Sequence, residues 1–247
     1  MRHGAQKGLF ELLFRVPAVC ADIVAAGQAD IGIIPSFELL LQDLAIVPGV
    51  GIASRGAVRS ILLISKRPAA QIRTLAADSS SRTSVALARI ILSRRFGVEP
   101  AIITRPPDLP SMLGEADSAL IIGDPALRIN PEALPFHVYD LGREWTEMTG
   151  LPMVFAVWAG RRECMTAEVA AAFQDSCAGG LRNLGQIAVE EAAARRLPPG
   201  LVRDYLNSHI VYELRAEERQ GMQLFLSYAR ELPQVGQAPE SSTSLPV

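Results

Sequence analysis

Apolar and polar positions along this chain form a repeating order of short apolar runs and longer amphipathic segments. The apolar run Thr74–Ala77 leads into the polar stretch Asp78–Ser84, which is followed by helical periodicity from Val85 to Phe96. This order predicts a strand, a hydroxyl-rich loop and a helix. Further buried strands are predicted at Ala29–Pro35 and Ser118–Ala126, each with a polar turn at its end. Strands that alternate with helices predict an α/β fold with mostly parallel sheets.

The two ends of the chain carry different patterns. Leu9–Val16 alternates as a strand does and is ended by Pro17. From Ala167 to Arg230 the periodicity is helical, and we expect breaks at Gly179-Gly180, at residues 198–200 and around Asn207.

Polar turns follow four of the predicted strands, at the ends where open α/β sheets bind ligands. They are Pro35-Ser36, Ser54-Arg55-Gly56, Ser79–Ser84 and Gly123-Asp124-Pro125. Two turns fall in each half of the pattern, which predicts two lobes that face a cleft. We expect one lobe to comprise residues 1–66 plus 156–247 and the other to comprise residues 67–155.

Composition narrows the function classes. The 247 residues carry a formal net charge of -2 and are 49% hydrophobic, so a globular chain with a large core is expected and nucleic-acid binding is not. The Lys and Arg residues are scattered, so we also expect no membrane partner. Three cysteines and three histidines lack metal-ligand spacing, which favours a reducing cytoplasm and no metal site. The start of the chain lacks the apolar stretch of a signal peptide.

The hydroxyl-rich loop, defined as residues 78–84, is the strongest candidate for chemistry. A helix that begins there collects unpaired backbone N–H groups and the positive end of the helix dipole, both suited to a carboxylate or phosphate. Arg82 adds a planar fork that can hold a carboxylate with two hydrogen bonds. The alternative is an ordinary helix N-cap, for which one serine would suffice.

Several motifs occur in an order that resembles the chorismate dehydratase family of the futalosine route to menaquinone. They are Ala29–Glu38, Ile46–Ser60, Asp78–Ser84, Ile121–Leu127, Trp145, Thr149–Trp158 and Glu217–Met222. The resemblance covers most of the chain. It implies a two-lobed fold like that of type II periplasmic binding proteins, and a lyase that dehydrates chorismate to 3-(1-carboxyvinyloxy)benzoate. It also implies a small-molecule substrate and no metal or organic cofactor.

One departure from the family pattern lies at the start. Family members open with a short strand and a loop similar to Ser-Tyr-Leu-Asn that lies in the cleft, whereas this sequence begins with residues downstream of both. We therefore expect the first sheet to lack its N-terminal strand, and the activity of this form to be impaired. Two explanations stay open from the sequence: a misassigned start, with Met1 internal to the protein, or a truncated product.

The substrate that the resemblance implies has two carboxylates and an alcohol. The resemblance therefore assigns the polar turns to the binding of these groups. The candidates for substrate binding are Ser36, Arg59, Ser60, Ser80, Ser81, Arg82, Thr83 and Ser84. Each has a structural alternative: helix capping for the hydroxyls and a solvated charge for Arg59. Asp124 is a weak catalytic candidate, which contacts the substrate hydroxyl or braces its own turn.

The general base is left open by the sequence. No histidine lies in the four turns, so the alternatives are a carboxylate of the substrate itself, a side chain of the missing segment, or Asp124. Two other functions remain open: a sibling enzyme similar to 1,4-dihydroxy-6-naphthoate synthase, and a non-catalytic protein of the same fold that binds a small anion.

Overall fold

A computed structural model describes residues 6–78 and 81–233 of the chain. Its strands are β1 (Ile31–Pro35), β2 (Ala45–Ser54), β3 (Ile61–Ser65), β4 (Thr74–Ala77), β5 (Ala101–Thr104), β6 (Ser118–Ile122), β7 (His137–Asp140), β8 (Met153–Gly160) and β9 (Val211–Glu213). Its α-helices are α1 (Pro17–Ala25), α2 (Arg82–Phe96), α3 (Leu109–Glu115), α4 (Asp124–Arg128), α5 (Leu141–Thr149), α6 (Ala167–Arg182), α7 (Leu184–Arg195), α8 (Pro199–Asp204) and α9 (Ala216–Arg230).

The strands form two sheets within the described residues. The first has the order β1-β8-β2-β9, and the second has the order β5-β4-β6-β3-β7. Short 3₁₀ turns fill several connections, among them Ser36–Leu40 directly after β1. The chain passes from the first sheet to the second through residues 55–60, which we call the crossover. This arrangement agrees with the predicted two-lobed α/β fold.

The expectation of mostly parallel sheets is wrong. In the second sheet β4 is parallel to β5 and β6, but β3 is antiparallel to both of its neighbours. Every described pair in the first sheet is antiparallel. The reason lies in how the chain passes between the lobes. β3 is the first strand after the chain enters the second sheet, and β8 is the first strand after it returns to the first sheet. Each of these two strands runs antiparallel to its neighbours.

The lobe boundaries that we expected differ from the strand pairing by a few residues. β3 hydrogen-bonds in the second sheet, although residues 61–65 were expected in the first lobe. Met153 pairs with Ser54 in the first sheet, although it was expected in the second lobe. A division at the crossover and just before β8 fits the hydrogen bonding better.

The largest part of the core joins the two sheets, while smaller buried clusters lie within each sheet. One cluster of buried side chains combines α2 and β3 with the start of β8 and with α9. Trp145 is fully buried in it, donates its indole N–H to the carbonyl of Pro152 (3.2 Å) and meets Phe225 edge to face. Such large buried aromatic groups stabilise the packing of the lobes against each other.

The predicted strand at Leu9–Val16 does not form. No described strand pairs with this segment, and most of its apolar side chains are exposed, with Leu9 at 65% and Phe14 at 61%, whereas Phe10 packs against Phe173. A β-strand requires a hydrogen-bonding neighbour, which alternation in the sequence cannot supply.

The predicted helical region from Ala167 onward is confirmed, apart from one break and from the strand β9, which pairs with β2 in the first sheet. α6 continues through Gly179-Gly180 and ends two residues later at Arg182, and the side chain of the next residue, Asn183, donates to the carbonyl of Gly179 (2.8 Å). The breaks near residue 198 and near Asn207 are observed, the latter as a single π-helical turn at Tyr205–His209. No helix of the described ranges is long and apolar enough to cross a lipid bilayer.

Candidate functional site

Most of the predicted site residues come to one edge of the second sheet. β4 and β6 are parallel, so their carboxyl ends share an edge, and α2 and α4 begin there. β3 is antiparallel to β6, with Ile61 opposite Ile122, so the crossover also meets this edge. Three of the four polar turns therefore converge, as the rule for open α/β sheets predicts.

The fourth polar turn, at Ser36, reaches the same place from the first sheet. The backbone N–H of Phe37 donates to the Thr83 hydroxyl at 3.1 Å, and the Ser36 hydroxyl lies 3.5 Å from it. Ser36 also donates to the carbonyl of Val154 at 2.8 Å, and both Ser36 and Thr83 are buried. The start of a helix from each sheet thus faces the other across the junction of the lobes.

The hydroxyl-rich loop is described only in part. Ser80, a predicted binding residue, lies outside the described residues. Ser81 precedes α2 and donates its hydroxyl proton to the Ser84 hydroxyl at 2.8 Å. The Ser81 side chain makes no capping bond to the backbone of α2, so the ordinary N-cap alternative does not account for it. Thr83 and Ser84 lie in the first turn of α2, where helical N–H groups lack intrahelical partners.

Arg82 is held by carboxylates of the first lobe. One guanidinium nitrogen donates to Glu38 at 2.5 Å and the other reaches Asp22 at 3.4 Å. Glu38 is fully buried and also accepts from the Gln42 amide at 2.9 Å. The bond to Glu38 raises the pKa of Arg82, so the guanidinium stays charged. Arg82 therefore ties the start of α2 to the 3₁₀ turn after β1.

Arg59 points to a helix end. Its guanidinium donates to the carbonyls of Ala126 (3.0 Å) and Ile129 (2.5 Å) at the end of α4, and burial lowers its pKa. Its backbone has a positive φ of 66° and its N–H donates to Asp140 at 2.6 Å, which holds the crossover in this conformation. Its position fits the support of α4 better than a grip on a substrate carboxylate.

Tyr205 joins the predicted residues Ser60 and Asp124. Its hydroxyl lies 3.0 Å from the Ser60 hydroxyl, and burial raises its pKa, to which the nearby Asp124 charge adds. Asp124 begins α4 after Gly123, which has a φ of 69°, and forms an ion pair with Arg195 at 3.3 Å. Sequence reasoning missed Tyr205, because the predicted helical break around Asn207 was its only signal.

The chemistry of these groups is that of an anion site with neutral donors. The described hydroxyls and helix starts can hold carboxylate oxygens, and no described cluster of three or more His, Cys, Asp or Glu could hold a metal ion. His209 is the histidine nearest the site, and its ring nitrogens face the Ala57 carbonyl (2.8 Å) and Asp204 (3.3 Å). A cavity of about 420 Å³ lies elsewhere, between β2, α6 and α9, and none of its lining residues belongs to the site.

Comparison with known proteins gives one family. The model of a family described as menaquinone biosynthesis matches residues 3–231. The chorismate dehydratase of Thermus thermophilus is 32% identical over 234 residues, which cover 87% of this chain and 85% of that protein.

The fold has solved counterparts. A protein from Archaeoglobus fulgidus has a TM-score of 0.70 at 18% identity and covers 89% of this chain and 85% of its own. The alkanesulfonate-binding protein of Xanthomonas axonopodis has a TM-score of 0.62 at 16% identity, with coverages of 90% and 83%. The periplasmic aliphatic sulphonate binding protein of Escherichia coli has a TM-score of 0.57 at 16% identity, with coverages of 95% and 85%. These likenesses confirm the expected periplasmic-binding-protein type of fold.

Proposed function

Because the chain belongs to the menaquinone biosynthesis family, we propose that it is a lyase that dehydrates chorismate in that biosynthesis. The observation that supports this most is the meeting of two helix starts from different lobes, with Ser36 and Thr83 at their contact. The substrate that we propose is taken from the chorismate dehydratase relative, whose match covers most of the chain. The reaction removes the ring hydroxyl and a ring hydrogen, and the ring becomes aromatic.

We assign one substrate carboxylate to the start of α2. The hydroxyls of Thr83 and Ser84, with those N–H groups of the first helical turn that have no intrahelical partner, can donate to its oxygens. Ser81 supports this assignment by donating its own proton to the Ser84 hydroxyl. The hydrogen to be removed is vinylogous to the ring carboxylate, so donors fixed at that carboxylate stabilise the charge that develops there. Ser80 shares this assignment by its position in the sequence.

The role of Arg82 follows from its partners. Because its guanidinium is paired with Glu38, we propose that it fixes the start of α2 against the first lobe. Arg59 is reassigned from substrate binding to holding the end of α4. Both arginines then act on the site through the position of a helix.

The base that removes the ring hydrogen is proposed to be a carboxylate of the substrate. Asp124 forms an ion pair with Arg195, so its carboxylate is already engaged. A carboxylate held next to the hydrogen needs little basicity, since proximity replaces it. Asp124 remains the alternative among the described residues, and we expect a cytoplasmic enzyme that uses no cofactor.

The test is incubation of the purified protein with chorismate and separation of the products by chromatography. We expect conversion of chorismate to 3-(1-carboxyvinyloxy)benzoate, at the impaired rate that the sequence predicts for this form, and we expect EDTA to leave that rate unchanged. Binding of chorismate without turnover would support the small-anion-binding alternative instead. Turnover of a cyclic futalosine derivative but not of chorismate would support the sibling enzyme.

A further inference from the structure

The single π-helical turn Tyr205–His209 packs on the crossover. Isolated π-helical turns are rare in proteins, but a large share of those that occur lie at functional sites. The extra residue in such a turn redirects the side chains around it. Here the His209 ring meets the Ala57 carbonyl at 2.8 Å, and the Tyr205 hydroxyl lies 3.0 Å from that of Ser60. A segment from the end of the chain thus contributes a hydroxyl to the edge where the substrate is proposed to bind.

The position of Ser60 relative to the hydroxyl-rich loop follows from the sheet. The Ser60 carbonyl accepts from the Gly123 N–H at 2.7 Å, one residue beyond the pairing of Ile61 with Ile122. β6 lies between β3 and β4, so Ser60 is separated from the residues after Ala77 by two strand spacings, about 10 Å. A single six-membered ring with substituents at opposite ends fits such a span.

The hydrogen bond between the Ser60 and Tyr205 hydroxyls leaves one of their two protons unused. Neither hydroxyl has a second hydrogen-bond partner among the described residues, and the hydrogen bond between them consumes only one of their two protons. Tyr205 is largely buried, and burial raises the pKa of its phenol, so it remains a protonated donor. If Tyr205 donates to Ser60, the Ser60 proton is free for an oxygen in the cleft.

We propose that Ser60 donates a hydrogen bond to the polar end of the substrate opposite the bound carboxylate, and that Tyr205 is the positioning residue that orients Ser60. This rests on the proposed function, under which that end is the alcohol that leaves as water. A donor at the departing oxygen stabilises the charge that develops on it. Tyr205 therefore acts on the reaction through Ser60.

The experiment compares Tyr205→Phe, Ser60→Ala and the double variant with the wild type, with Tyr212→Phe as the matched control. The Tyr212 phenol is also largely buried and donates to the Leu206 carbonyl of the same π-helical turn at 3.2 Å, so its loss removes a similar bond of that turn and leaves the bond between Tyr205 and Ser60 in place. We expect Tyr205→Phe to lower kcat about tenfold with KM within twofold, the effect of one hydrogen bond made in the transition state. Tyr212→Phe is expected to leave both constants within twofold.

The double variant separates positioning from independent contact. If Tyr205 acts through Ser60, Tyr205→Phe adds no further loss to Ser60→Ala, because coupled residues are not additive. Multiplying losses, or a Tyr205→Phe variant as active as the wild type, would overturn the inference. A melting temperature that falls much more than that of Tyr212→Phe, with an unchanged kcat for the folded fraction, would overturn it as well. Absence of turnover in the wild type would instead refute the proposed function.

Discussion

The pair between Arg82 and Glu38 gives the sharpest prediction, the effect of Arg82→Ala. The substitution leaves a fully buried carboxylate with the Gln42 amide as its remaining described partner. Breaking a buried ion pair costs about 3–5 kcal/mol. Because the Arg82 side chain is 39% exposed, water compensates part of this loss, and we expect about 2–3 kcal/mol.

The assay is urea denaturation followed by fluorescence, with thermal melting beside it. For a chain of this length the loss corresponds to a fall in melting temperature of about 4–12 °C. We also expect kcat/KM for chorismate to fall by one to two orders of magnitude, because the start of α2 loses its tie to the first lobe.

Two companion variants show whether Glu38 is the partner that matters. Asp22→Asn removes the second carboxylate that Arg82 contacts. Because the Asp22 side chain is 63% exposed, this change should lower the free energy of unfolding by less than about 1 kcal/mol. Arg82→Ala combined with Glu38→Gln should recover part of the loss, since no buried charge is then left unpaired. The reasoning is refuted if Asp22→Asn destabilises the protein as much as Arg82→Ala, or if the double variant recovers nothing.

Three further predictions follow from buried polar groups. Asp140→Ala removes the acceptor of four backbone N–H groups in the crossover and α5, and should lower the free energy of unfolding in urea by about 2–4 kcal/mol. Asp108→Ala removes an ordinary N-cap and should lower it by about 1 kcal/mol. Equal losses in the two variants would contradict this prediction. Thr83→Val should lower kcat/KM about tenfold and Ser93→Ala, at the exposed end of the same helix, should not change it, so equal activities would argue against the site. Burial raises the folded-state pKa of Glu144 above 4.5, so its contribution to stability is present below that pH and is lost as pH rises through the folded pKa; Glu144→Gln should flatten that part of the stability profile, and parallel profiles would show the reasoning wrong.

The side chains of the site divide by how far their partners lie along the chain. The hydroxyl-rich start of α2 was predictable because capping and helix starts are decided within one turn. The partner of Arg82 was not, since Glu38 lies 44 residues away and becomes a neighbour only when the two lobes pack. Tyr205 is 145 residues from Ser60, and no local pattern marked it as part of the site.

The sequence by itself determined the α/β class, most of the elements, the family and the placement of polar turns at strand ends, because periodicity and turn chemistry are local properties. The tertiary structure decided the strand directions, the absence of a strand at Leu9–Val16 and the hydrogen-bond partners of the long side chains. A strand needs a neighbour, and an arginine fork takes whichever oxygens the packed lobes bring within its reach. Arg59 shows this most clearly, since the sequence offered it to a substrate and the packing turned it to the end of α4.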